Sequence, residues 1–226
     1  MRFLQLFSCV FIILYLLLAG ACALPSETVN TAGKADVIGL GDAIEMHELF
    51  SEDRNGIYNY CPSVVQTDSR TRYVFYCSNK DPYNIIDYVY FRKGVKKGDN
   101  WIWGEKQLAL APSESGWDKQ HVCDPDLVKG DFRYQGEKYN YVMFYLGVDV
   151  KTCKHNQIGM AFARNIEGPW VKWRENPVVA YDDYEFWGTG QPSAVSLEGT
   201  AGLRLCILGI SKSVMRMLRI FQRRRR

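Results

Sequence analysis

Three prolines, Pro62, Pro125 and Pro192, stand 63 and 67 residues apart, each inside a short strand-like run. Around the second, Cys123 to Val128 is followed by a polar turn, Lys129 to Lys138, and then by Tyr139 to Leu146, rich in aromatic and β-branched residues. That order is the signature of a β-hairpin. The first copy answers Cys61 to Val65 with Arg72 to Cys77, and the third begins with Gln191 to Val195. The flanks of the first two copies match as well. Ile86 to Arg92 corresponds to Ile158 to Arg164, the turn ending at Trp101 to the turn ending at Trp170, and Leu108 to Leu110 to Val178 and Val179. A regular period of about four short strands is the mark of a propeller blade, here with loops longer than in the common ~40 to 50-residue repeats. The predicted fold is therefore all-β, a β-propeller of four-stranded antiparallel blades over residues 57–198, incomplete at about three blades.

Charge separates this body from its ends. The formal charge is +3, with 28 basic and 25 acidic residues. Residues 199–226 hold eight of the basic residues and no acid, so the remainder carries 20 basic against 25 acidic residues, or −5. A body of that balance gives no reason to expect a nucleic-acid partner. Arg2, the uncharged run Phe7 to Leu18, and small residues up to Ala23 read as a secretory signal peptide over residues 1–23. An uncleaved anchor and a lipid attached at Cys22 are the alternatives. Residues 24–56 read as a linker and leading segment. Export would put Cys61, Cys77, Cys123 and Cys153 in an oxidising compartment, where one or two disulfides form, with a pairing that spacing does not give. Their spacing and the scattered His47, His121 and His155 argue against a zinc site, and neither a metal nor a cofactor is expected. Gly39 and Gly41 lack the third glycine of a dinucleotide fingerprint.

Beyond Gly199 the strand pattern is lost. One reading is a basic amphipathic helix ending in four arginines, which would touch a membrane surface or a polyanion. The other, which we prefer, is that residues 199–226 are out of frame. One choice of codons for 199 to 208, read in a neighbouring frame, restores a strand like those of the first two copies.

Asp124, Pro125, Asp126, Leu127 and Val128 followed by YNYVMFY, and then IGMAFARNIEGPW, resemble the five-bladed β-propeller glycosidases: glycoside hydrolase families 43 and 62 with the invertases and levansucrases. The resemblance covers about residues 57 to 198, and implies an incomplete five-bladed propeller, a polysaccharide-side-chain substrate and hydrolysis of a glycosidic bond. Such chemistry needs one carboxyl to protonate the leaving oxygen and another to activate water or attack the sugar, and these enzymes place them on the innermost strands. Asp126 falls on the Asp of the family-43 Ala-Pro-Asp pattern and would tune the acid and orient substrate; Asp124 falls on the Asp of the invertase-like Arg-Asp-Pro pattern. The first-blade Asp before proline is here Cys61, and the third-blade acid falls on Gln191 or Ser193. Neither can replace a carboxylate. Asp182, Asp183, Glu185 and Glu198 are the nearest acids, off the inner strand.

Trp117 and Trp187 each precede an inner strand, where an indole face would stack on a sugar; elsewhere the same residues would pack between blades. His121 would hydrogen-bond a sugar hydroxyl, and Tyr60 and Gln191, beside the first and third prolines, are assigned with them to carbohydrate binding. The alternative for Asp124 and Asp126 is a pair of acids satisfied by backbone N–H groups. Loss of the first and third carboxylates predicts an impaired enzyme or a non-catalytic carbohydrate-binding or surface interaction module.

Overall fold

The computed structural model describes residues 48–50, 56–152, 154–181 and 187–196, and the backbone of 197, 202–209 and 214–221. The leader, its cleavage or lipid site, most of the linker, Cys153 and the acids Asp182, Asp183, Glu185 and Glu198 lie outside the described residues.

The described residues contain strands and no helix. The first sheet comprises β1 (Asn59–Asp68), β2 (Thr71–Asp81), β3 (Asn84–Lys97), β4 (Asn100–Trp103) and β5 (Gln107–Leu110). β1, β2 and β3 meander antiparallel, and β4 and β5 share the outer edge of β3, β4 along Gly94 to Lys97 and β5 along Val89 to Phe91. The second sheet repeats this with β6 (His121–Tyr134), β7 (Glu137–Val148), β8 (Gln157–Ala163) and β9 (Val171–Lys172). Its outer edge is divided in the same way, between β9 and a bridge from Val179 to Ile158. The third sheet has the order β10 (Thr189–Leu197), β11 (Gly202–Gly209) and β12 (Val214–Phe221). Gly202–Gly209 and Val214–Phe221 are thus strands, not the amphipathic helix that was one reading of the basic segment. Their Leu, Ile, Val, Met and Phe are as compatible with a pleated strand as with a helix, and pairing with β10 decides the matter.

The turn between β6 and β7 is shorter than the sequence suggests. Both strands run on to Gln135 and Gly136, whose φ of 52° and 82° make the two-residue, right-twisting connection that closes a tight hairpin. The ten residues read as a turn are mostly strand, interrupted by a bulge between Lys129 and Phe132.

Packing explains why the middle strands read as continuous apolar runs. Tyr141, Met143 and Tyr145 of β7 pack with Tyr73, Phe75, Val89 and Phe91 of the first sheet. Val142 and Phe144 turn the other way, into a second cluster that Ala194 of β10 also touches. A strand buried on both faces has no solvent side to keep polar, and each large side chain so buried contributes on the order of 1.5–3 kcal/mol.

One local device recurs in all three sheets. β1, β6 and β10 each break register at the same place, between Tyr60 and Ser63, between Cys123 and Asp126, and between Gly190 and Ser193. The residue before each proline, Cys61, Asp124 and Gln191, has a left-handed backbone with φ of 48°, 46° and 47°. A residue before proline ordinarily stays extended and a non-glycine residue ordinarily avoids positive φ. Three equivalent exceptions therefore mark one bulge, built three times, and such bulges re-aim the side chains beside them.

Candidate axial carboxylate site

The innermost strands β1 and β10 both pack against β6, and the three bulges meet there. Asp124 joins them: its Oδ2 accepts from the Gln191 main-chain N–H of β10 at 3.2 Å, and the Cys61 thiol of β1 donates to the same carboxylate. Asp126 repeats the pattern two residues on. Its Oδ1 accepts from Ser63 Oγ of β1 at 3.2 Å and its Oδ2 from the Ala194 N–H of β10 at 2.5 Å. Burial pushes both carboxyls above the ordinary aspartate range, against the hydrogen bonds that lower them. The backbone-satisfied reading of this pair is thus realised in part, and both acids act as ties between neighbouring blades.

A second acid cluster adjoins them from the first sheet. Asp87, at the start of β3, is buried; Tyr58 Oη donates to its Oδ1 at 2.5 Å and His121 Nδ1 lies 3.1 Å from its Oδ2. Desolvation raises the Asp87 carboxyl, but the hydrogen bonds from His121, Tyr58 and Tyr60 together outweigh it and hold it below its ordinary value. Asp87 and Asp124 feel each other's charge, so the site holds two buried carboxyls whose surroundings move them apart. Sequence reasoning missed Asp87 and Tyr58. The match of Ile86 to Arg92 with Ile158 to Arg164 is out of register by three: Val89 pairs with Cys77 as Ile158 pairs with Leu146, so the counterpart of Asp87 is the buried Asn156.

Beneath these groups, Cys77 of β2 and Cys123 of β6 form a disulfide that joins the first two sheets, while Cys61 is a free thiol. Burial, with the carboxylates of Asp124 and Asp87 nearby, pushes the Cys61 thiol up to about 12, so it stays protonated and donates. Tyr60 Oη donates to the Asp87 carboxylate and lies 3.0 Å from Cys123 Sγ. Burial first, then the charges of Asp87 and Asp124, raise the Tyr60 phenol well above its ordinary value.

The other sequence candidates divide. Tyr60 is 39% exposed, so its edge reaches solvent at the site. His121 faces Asp87 through Nδ1, which accepts from the Asp87 main-chain N–H at 3.1 Å. Gln191 enters through its backbone; its side chain is exposed. Trp117 is half-buried; its indole lies over Gly147 and Gly159, where an added Cβ would come within 2.2 and 2.4 Å, and beside Tyr145 at 5.5 Å between ring centres. It packs on the second sheet. Trp187 likewise lies over Gly190, 2.4 Å from where a Cβ would stand, and packs on the cluster that contains the disulfide. Both glycine contacts are invisible in a sequence that shows only an aromatic before a strand. A cavity of about 690 Å³ lies instead toward the far ends of β1 and β6, lined by Thr67, Tyr73, Lys129, Tyr141, Arg164 and Glu167, with none of the axial acids.

No family model matches the sequence, and no curated protein does. Solved structures do. A family 117 glycoside hydrolase of the marine bacterium Zobellia galactanivorans is 15% identical at a TM-score of 0.56, over 75% of this chain and 54% of that one. A thermostable family-43 glycoside hydrolase is 18% identical at 0.52, over 76% and 57%. A fructofuranosidase of Schwanniomyces occidentalis complexed with fructosylnystose is 13% identical at 0.53, over 75% and 33%. The chain has the fold of the five-bladed propeller glycosidases. It spans about half the length of the first two of these structures and a third of the last. In this propeller-glycosidase fold the three bulges sit on the inner strands, and only one of the three residues before proline, Asp124, is a carboxylate.

Proposed function

We propose that the chain is an exported, glycoside-hydrolase-like propeller that binds polysaccharide side chains at the axial cluster and is impaired in hydrolysis. The observation that carries this reading is the set of three equivalent left-handed positions, Cys61, Asp124 and Gln191, of which only Asp124 is a carboxylate. Glycosidic hydrolysis by this route uses two carboxyl groups across the scissile bond. Asp124 and Asp126 instead spend their oxygens on Cys61, Gln191, Ser63 and Ala194. What remains for a sugar is a polar rim: the Tyr60 ring edge, His121 and the Gln191 side chain. The Cys77–Cys123 disulfide supports export, since such bonds persist in oxidising compartments.

One observation favours a second reading, residual catalysis. Asp87, held low, and Asp124, held high, are the kind of pair in which one carboxyl serves as base and the other as acid.

Calorimetric titration of the full chain with a panel of neutral oligosaccharides, fructans included, and chromatography of the same samples, separates the two. Binding without product, weakened in His121→Ala and Tyr60→Ala, supports the proposal. Product that disappears in Asp87→Asn supports the second reading, and absence of binding to every glycan rejects both.

A further inference from the structure

The deepest part of the axial cluster has a chemistry that sugar recognition does not use. The sulfurs of Cys77 and Cys123 and a carboxylate oxygen of Asp124 lie within 4.8 Å of one another, and the three residues are 0%, 3% and 8% exposed. Cys61 brings a third sulfur, hydrogen-bonded to the same carboxylate. The four groups come from β1, β2 and β6, so no spacing in the sequence announces them. Asp87 and Asp124 are both buried here; Asp87 is paired with His121, and among the described residues no lysine, arginine or histidine bonds to Asp124. Buried negative charge of this kind is costly until a cation compensates it.

We propose that, once the Cys77–Cys123 disulfide is reduced, this cluster binds one zinc ion, with Cys77, Cys123 and Asp124 as ligands and Cys61 as the fourth. Three thiolates and one carboxylate are donors that zinc accepts in a closed tetrahedral site. An outer hydrogen bond is already in place: the Asp124 main-chain N–H donates to Cys77 Sγ at 2.8 Å. Partners of that kind orient metal ligands. The redox step uses a small dithiol. The S–S bond takes two electrons and two protons to give two thiols, and the dithiol closes to its own disulfide. Zinc then displaces the thiol protons to solvent. Either form ties β2 to β6, by a covalent bond when oxidised and through the ion when reduced.

The test uses the full chain, reduced with a dithiol, freed of it by gel filtration under inert gas, and titrated with Zn²⁺ against a chromophoric chelator. One Zn²⁺ per reduced chain and none held by the oxidised chain is the expected result. Cys61→Ser and Asp124→Asn should each weaken binding by at least the roughly 10- to 100-fold lost when only an outer partner of a ligand is removed. Cys153→Ser and Cys206→Ser should leave affinity and stoichiometry unchanged. Co²⁺ replaces Zn²⁺ in a second measurement on the unmutated chain, where a thiolate-to-cobalt charge-transfer band must accompany retained β-sheet circular dichroism. Equal binding by the oxidised chain, a missing charge-transfer band, or binding only by a chain that has lost its sheet signal would each overturn the proposal.

Discussion

Asp126 ties three strands together with two oxygens, and its substitutions separate that role from its charge. Asp126→Ala leaves the Ala194 N–H without its acceptor and should cost about 1–3 kcal/mol. Asp126→Asn can still accept from Ala194 and sheds a charge that burial disfavours, so urea unfolding at neutral pH should place it within about 1 kcal/mol of the parent. Equal losses in the two variants would contradict this. Asp87 has the opposite sign. Its carboxyl is held low, so its contribution is full above the ordinary aspartate value near about 3.9 and disappears as pH falls through the folded value. Asp124 and Asp126, held high, contribute most in acid and lose that contribution as pH rises through their folded values. Asp87→Asn should therefore flatten the fall in melting temperature from about pH 5 to about pH 3. An acid limb as steep as the parent's would refute the assignment. Asp124 and Asp126 were legible because acids beside a proline break an apolar strand. Asp87 was not legible, because the apolar pattern aligns β3 with β8 three residues away from the register that pairing sets, and the bulge angles that make Cys61, Asp124 and Gln191 equivalent are a property of the backbone.

Between strands, the strongest constraint is the fit of indoles over glycines. Gly147→Ala would set a methyl 2.2 Å from the Trp117 ring and 2.7 Å from Asp118 Cβ, in a strand buried on both faces. The ring must move, at about 1–3 kcal/mol, and a melting curve should show it. An unshifted melting temperature would mean that Trp117 is loosely held after all. The disulfide acts at the same scale. It closes a loop of sequence separation 46, and its loss in the Cys77→Ser, Cys123→Ser pair should cost about 2–4 kcal/mol in urea unfolding. The hairpins and the four-strand repeat were readable from the order of apolar runs and turns; the split outer edge shows only in the pairing. The strands at Gly202–Gly209 and Val214–Phe221 were not, because an apolar run of that length satisfies helix and strand alike until a neighbour pairs with it.

Across the molecule, the three inner strands form one hub with β6 at its centre. Asp124, Asp126 and the disulfide bind β6 to its neighbours, which makes the site and the inter-blade contact the same set of atoms. On the proposed function, Asp124 and Asp126 serve as structural ties, and hydrolysis would require carboxylates at the two bulges that lack them. Turnover by the unmodified full chain, followed by product analysis on oligosaccharides it binds, tests this most directly. The account predicts no product above the buffer control. Hydrolysis at an ordinary enzymatic rate, on the order of 1 s⁻¹ or more, would contradict it and make the Asp87 and Asp124 pair the working acid and base.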